Sequence, residues 1–158
     1  MVDYLDKMPE GYPGALADEV AKDLYSLSVA GTTPLAFGAA AAYGTLRGTC
    51  RPIAAADTIA NFAGIVTMTR SAMGDDAYTQ YESARLISKG RVWVTTATQP
   101  ADGAPVFLNP TTGAWSSASA AGNFQIPGAR FIRSLSATLA VVELNGVGSY
   151  PEPEAVAP

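Results

Sequence analysis

The chain has 158 residues, of which 48% are apolar and only 15% charged, with a formal net charge of −4. That length suits one domain with a core of its own, and the charge content is low against about 25% for soluble domains. The polarity is uneven: residues 1–23 carry six acids against Lys7 and Lys22, while Leu24 to Gly148 carries eight bases against six acids. The bases are scattered singly, which argues against nucleic-acid binding. No window supplies the ~20 apolar residues of a membrane span, and the acidic opening is not expected to be a secretory signal.

In chain order, residues 1–14 read as an arm, because Pro9-Glu10-Gly11-Tyr12-Pro13-Gly14 resists regular structure. Ala15 to Leu24 spaces Leu16, Val20 and Leu24 four apart, which predicts a helical turn or two. Tyr25 to Val29 alternates with period two and predicts a strand. Leu35 to Gly44 favours a buried strand over the helix its four alanines would suit, and Asn61 to Thr69 predicts another strand whose Gly64 allows a bulge or a close backbone approach. Ser71 to Thr79 predicts an exposed loop.

Arg85 to Leu108 reads as strand, loop and strand. Val92, Val94 and Thr96 share one face, and Arg91, Trp93 and Thr95 the other. Ala129 to Leu135 and Leu139 to Leu144 supply the last strands, and residues 149–158 form a short Pro-rich extended tail. Roughly eight short strands between turn signals predict an all-β fold, a small β-barrel or jelly-roll-like sandwich, with its body at residues 15–148.

The chemistry is sparse. Histidine is absent, which removes the commonest general base and rules out a Ser-His or Cys-His nucleophile pair. The single cysteine, Cys50, forms no internal disulfide and reads as a small buried apolar residue. Asp75-Asp76 reads as a solvated turn rather than a calcium site, since no further acids follow at ligand spacing. No catalytic, cofactor-binding or metal site is expected. Trp93 and Trp115 read chiefly as core or cross-strand packing, with partner anchoring as the other reading. Arg130 and Arg133 read chiefly as snorkelling from a strand edge, with contact to an acidic partner surface as the other reading.

With the strands laid out, the chain resembles the structural cement (decoration) proteins of tailed-bacteriophage capsids. The residues that carry the likeness are Tyr12-Pro13-Gly14-Ala15-Leu16-Ala17-Asp18, Pro34-Leu35-Ala36-Phe37-Gly38-Ala39-Ala40 and Phe62-Ala63-Gly64-Ile65. Gly90-Arg91-Val92-Trp93-Val94, Asp102 to Phe107, Pro127 to Phe131 and Leu139 to Leu144 follow in order.

The resemblance spans residues 12–145. It implies a non-enzymatic domain on the outer surface of the virion that stabilises the mature head by bridging adjacent capsomers. The implied partners are the major capsid protein and other copies of itself, with a homotrimer favoured and a homodimer the alternative. Neither nucleic acid nor membrane is an expected partner. Tyr4, Leu5, Tyr12 and Pro13 of the arm, with Arg130 and Arg133, are the candidate partner contacts. A competing reading is a carbohydrate- or surface-binding β module of a fibre or adhesin, which an exposed face carrying Tyr78, Tyr81 and Trp115 would favour.

Overall fold

The computed structural model describes residues 11–18, 20–69 and 76–146. Its eleven strands are β1 (Asp23–Val29), β2 (Leu35–Ala36), β3 (Ala40–Tyr43), β4 (Thr49–Pro52), β5 (Phe62–Val66), β6 (Ala77–Tyr78), β7 (Ser83–Thr95), β8 (Pro105–Leu108), β9 (Trp115–Ser116), β10 (Phe124–Ser134) and β11 (Leu139–Asn145). One 3₁₀ turn, Ile59–Asn61, precedes β5. The fold is all-β, as the turn spacing predicts.

The strands β1-β4-β3-β5-β7 pair in that order, and β7 pairs back to β1, so five strands close a small barrel. The β1–β4 contact is parallel and the others are antiparallel. β7 is 13 residues long and outruns the barrel. Its first half pairs with β1 and β5. Its second half pairs with β11 from Lys89 to Thr95, and β10, β8 and β9 continue that second sheet. The short pair β2–β6 stands apart.

Two hydrophobic clusters explain why certain strands read as unbroken apolar runs. One cluster takes Leu27, Val29, Ala41, Tyr43, Cys50, Ala63, Val66, Ala84 and Leu86 from all five barrel strands, together with Leu35, Phe37 and Tyr78. The other takes Ala40, Phe62, Ile65 and Ile87 from the barrel wall and packs them with Val92, Val94, Val106, Leu108, Trp115, Ile126, Phe131 and Val142. Neighbouring residues such as Ala40 and Ala41, Ile65 and Val66, or Leu86 and Ile87 thus serve opposite clusters. A wall strand buried on both faces has no polar face to alternate with, and every residue of β3 and β5 is buried. Phe62 and Trp115 meet edge to face at 6.4 Å, and Phe37 and Tyr78 at 5.3 Å, arrangements that aromatic quadrupoles favour.

Several local expectations are corrected. Residues 15–18 are extended rather than helical: Leu16 bridges Val92, so tertiary pairing overrides a weak periodic signal. Leu35 to Gly44 is two strands, because the chain turns at Phe37-Gly38, where Ala39 N–H donates to the Ala36 carbonyl. Asn61 belongs to the 3₁₀ turn, and the strand that follows ends at Val66. Cys50 is fully buried as expected, and desolvation pushes its thiol up to about 11.

Gly64 fulfils its expectation of close approach. A Cβ there would lie 2.6 Å from the Ile87 carbonyl oxygen, and its φ of +151° is one that side-chain-bearing residues rarely adopt. Gly64→Ala must therefore push β5 off β7 and is expected to cost at least about 2 kcal/mol in urea unfolding. Gly103→Ala, where a Cβ meets nothing within 4 Å, should cost about 1 kcal/mol or less, from its positive φ alone. Equal losses at the two positions would contradict this account of barrel closure.

Candidate functional site

The outer face of the second sheet brings together Asp18, Arg91 and Glu143, which touch one another. Cross-strand register places Arg130 opposite Glu143 and Glu143 opposite Arg91, so these three share a face. Strict alternation would send Arg130 and Arg133 to opposite faces. A register shift between Phe131 and Arg133 resets it, and Arg133 pairs with Val141, which in turn pairs with Trp93. A cleft of about 350 Å³ opens on this face, lined by Ala17, Asp18, Arg91, Asp102, Ile132, Arg133 and Val141.

Residues 11–18 close one side of the site by lying along the free edge of β7. Gly14 N–H donates to the Trp93 carbonyl at 2.8 Å, Trp93 N–H to the Ala15 carbonyl at 2.9 Å, and Ala17 N–H to the Arg91 carbonyl at 3.0 Å. Met68 N–H donates to the Gly14 carbonyl at 2.8 Å, tying the segment to the barrel as well. Gly11 sits directly against the Trp93 indole, where any side chain would collide with the ring. The Arg133 guanidinium lies 5.2 Å from the centre of the same ring, a cation–π geometry. Trp93 is only 2% exposed as a result.

Arg91 is the electrostatic centre. It donates to Asp18 at 2.8 Å through Nη1 and to Glu143 at 2.7 Å through Nε. Desolvation raises the Asp18 carboxyl, but the Arg91 hydrogen bond, the Val20 backbone N–H and the charges of Arg91 and Arg133 outweigh it, so the group stays below its ordinary range. All three side chains remain 30% or more exposed, so solvent screens the pairs. The backbone bonds and Trp93 therefore carry most of the seating. A second pair, Arg51 and Asp57, is bidentate at 2.6 and 2.7 Å. Ala54 N–H also donates to Asp57, which fixes the loop after β4.

The structure sorts the candidate contacts. Arg130 and Arg133 share the outer face and both are exposed, with the Arg133 guanidinium over the Trp93 ring. Tyr12 is 55% exposed at the edge of the same region. Pro13 is half-buried, in contact distance of Gly38. Tyr4 and Leu5 lie outside the described residues, as does Asp75 of the expected loop.

The aromatic face proposed for a carbohydrate module does not form. Tyr78 and Trp115 are 3% and 1% exposed, with the Tyr78 hydroxyl bonded to the Thr67 carbonyl and the Trp115 N–H to the Gly38 carbonyl. The stacking of Trp93 between Gly11 and Arg133, and the Asp18–Arg91 pair across 73 positions, escape sequence reasoning. The only local signal was a run of Gly and Pro that permits close approach.

The model of the family described as structural cement protein (E217 gp24/Pam3 gp6) matches residues 2–145. The chain belongs to that family. A structural cement protein is a structural component of the phage capsid. Comparison with curated proteins gives no match. Among solved structures, the chain is similar to one from "The capsid of Myoviridae Phage XM1", with a TM-score of 0.77 and 19% identity over 92% of this chain and 96% of that one. At that identity the likeness is one of fold.

The depressed Asp18 carboxyl fixes the direction of a pH effect. Its contribution is present above the ordinary carboxylate pKa of about 3.9 and is lost as pH falls through the lower folded value. Asp18→Asn should reduce hydrogen-exchange protection of the Gly14, Ala17 and Trp93 amides at pH 7. The difference from wild type should shrink as pH falls below the ordinary carboxylate range and vanish only below the depressed folded value. A difference that does not shrink at all between pH 5 and pH 2 would show that charge does not hold the segment.

Proposed function

We propose that this cement protein binds the outside of the assembled head as a homo-oligomer, with a trimer favoured, and stabilises it by bridging adjacent capsomers. The family match over residues 2–145 carries the reading. The outer face of the second sheet supports it physically. It joins an exposed Tyr12, a Trp93–Arg133 stack and a row of opposed charges beside a cleft. Mixed charge on a firm sheet gives a partner register and orientation more than raw affinity. Repetition on a symmetric shell then multiplies a modest contact.

The arm leads into this face. Residues 1–10 precede Gly11, which is anchored on Trp93, so any contact they make starts from a fixed point beside the cleft. Tyr4 and Leu5 are proposed to contact the shell or a sister subunit from there, with Tyr12 and Pro13 at the base. Arg130 and Arg133 contribute positive charge on the same face.

The purified chain should sediment with undecorated, expanded capsids and raise their disruption temperature. Removing residues 2–10 keeps the docked segment 11–18, so the truncated chain should retain its own melting temperature while coating capsids more weakly. Capsids that disrupt at the same temperature with and without the chain would contradict the proposed role. Equal coating by the truncated chain would contradict the arm's part in it.

A further inference from the structure

Tyr81 holds a backbone conformation its side chain disfavours. The turn Thr79–Glu82 closes with Glu82 N–H donating to the Thr79 carbonyl at 3.1 Å. The Glu82 carboxylate accepts from Thr79 N–H at 2.5 Å. Tyr81 is the third residue of this turn, with φ +70°, and it is the one non-glycine residue with positive φ among the described residues. A β-turn with positive φ at that position ordinarily takes Gly or Asn. Strain of this kind persists only where the surroundings fix it. Here Tyr81 N–H donates to the Val29 carbonyl, and Val29 N–H to the Glu82 carbonyl, both at 2.9 Å.

The side chain so displayed is 81% exposed. Leu46, 68% exposed, is its counterpart on the β3–β4 hairpin, which lies against the same end of β1 through Ser28 N–H to the Gly48 carbonyl. These are the two most exposed large hydrophobic residues among the described ones, and both flank the C-terminal end of β1. The flanking loop residues Gly31, Thr32, Thr33, Thr45 and Gln80 are small or neutral, and two exposed charged residues, Arg47 and Glu82, stand at the rim, the Glu82 carboxylate accepting from Thr79 N–H. An exposed tyrosine with a rigid backbone has few side-chain rotors to immobilise and presents a large ring with a polar tip, which are the properties of an anchor residue at protein interfaces.

We infer that the barrel end carrying Tyr81 and Leu46 is a second contact surface, which seats the Tyr81 ring in an apolar pocket of the capsid shell. This rests on the proposed capsid binding and deepens it. β7, 13 residues long at about 3.3 Å per residue, spans roughly 40 Å. It starts beside Tyr81 and ends beyond Trp93, so the two contact regions lie at opposite ends of one strand. A chain that bridges neighbouring subunits needs two such separated surfaces.

The test uses Tyr81→Gly, Tyr81→Phe and Leu46→Ser in the full chain, each measured for melting temperature, for mass by light scattering and for sedimentation with expanded capsids. Tyr81→Gly relieves the strained position, so its melting temperature should rise by a few degrees while its apparent capsid affinity falls on the order of tenfold or more. Leu46→Ser should weaken binding in the same direction at unchanged melting temperature, and Tyr81→Phe should retain most of it. A Tyr81→Gly chain that coats capsids as well as wild type would overturn the inference while leaving capsid binding intact. A fall in self-association with unchanged capsid affinity per chain would overturn it too, by assigning the surface to a second copy. If the wild-type chain itself fails to sediment with capsids, the proposed function falls and this assignment falls with it.

Discussion

Every other feature of the molecule depends on β7 being paired along both of its edges. Its first half closes the barrel between β1 and β5, and its second half lies between β11 and the extended segment 14–17. A barrel strand that ended with the barrel would leave the second sheet without a hydrogen-bonded root. A free edge at residues 91–93 would offer unpaired amides to any passing strand. Residues 11–18 cover that edge, so the segment leading out of the domain is also the piece that finishes it. The same strand supplies Leu86 to one core and Ile87 to the other, which couples the barrel to the sheet through packing as well as through the backbone.

This construction gives a rigid body with a polar working face. The apolar side chains are spent on two cores, and some of the charges meet one another: Asp18, Arg91 and Glu143 in one row, and Arg51 of β4 with Asp57 of the loop that follows. A protein with 15% charged residues has little surface charge to orient it against a partner, so the placement of each one matters. The Trp93 stack shows the economy: one indole takes a glycine backbone against it and a guanidinium over its ring. No metal-binding group of three or more Asp, Glu or Cys residues forms among the described residues. As a member of the structural cement family, the chain is a structural component of the capsid.

The strands buried on both faces were the most legible part of the sequence. Phe62-Ala63-Gly64-Ile65-Val66 reads as an apolar run, and its glycine announces the close approach to Ile87 that the structure contains. The Arg91-to-Thr96 alternation was equally plain, since Val92, Val94 and Thr96 are all buried. What stayed hidden was set by non-local geometry. The helical spacing of Leu16, Val20 and Leu24 is genuine, but β7 offers residues 14–17 backbone partners that an isolated turn of helix cannot match. The shift at Ile132 that turns Arg130 and Arg133 to one face leaves no local signature, because an ordinary Phe-Ile-Arg carries it. Tyr81 was readable only as an aromatic near a loop. Its positive φ follows from the clamp that β1 places on the turn.

The account's central claim is that a rigid β7-centred body meets the capsid at two separated places. Hydrogen–deuterium exchange of the chain, free and bound to expanded capsids, tests it most directly. The account predicts added protection at both ends of β7, around Gly11–Asp18 and around Gln80–Glu82, with the amides of β3 and β5 unchanged because the cores already protect them. Added protection confined to one end, or spread evenly through the barrel, would contradict it.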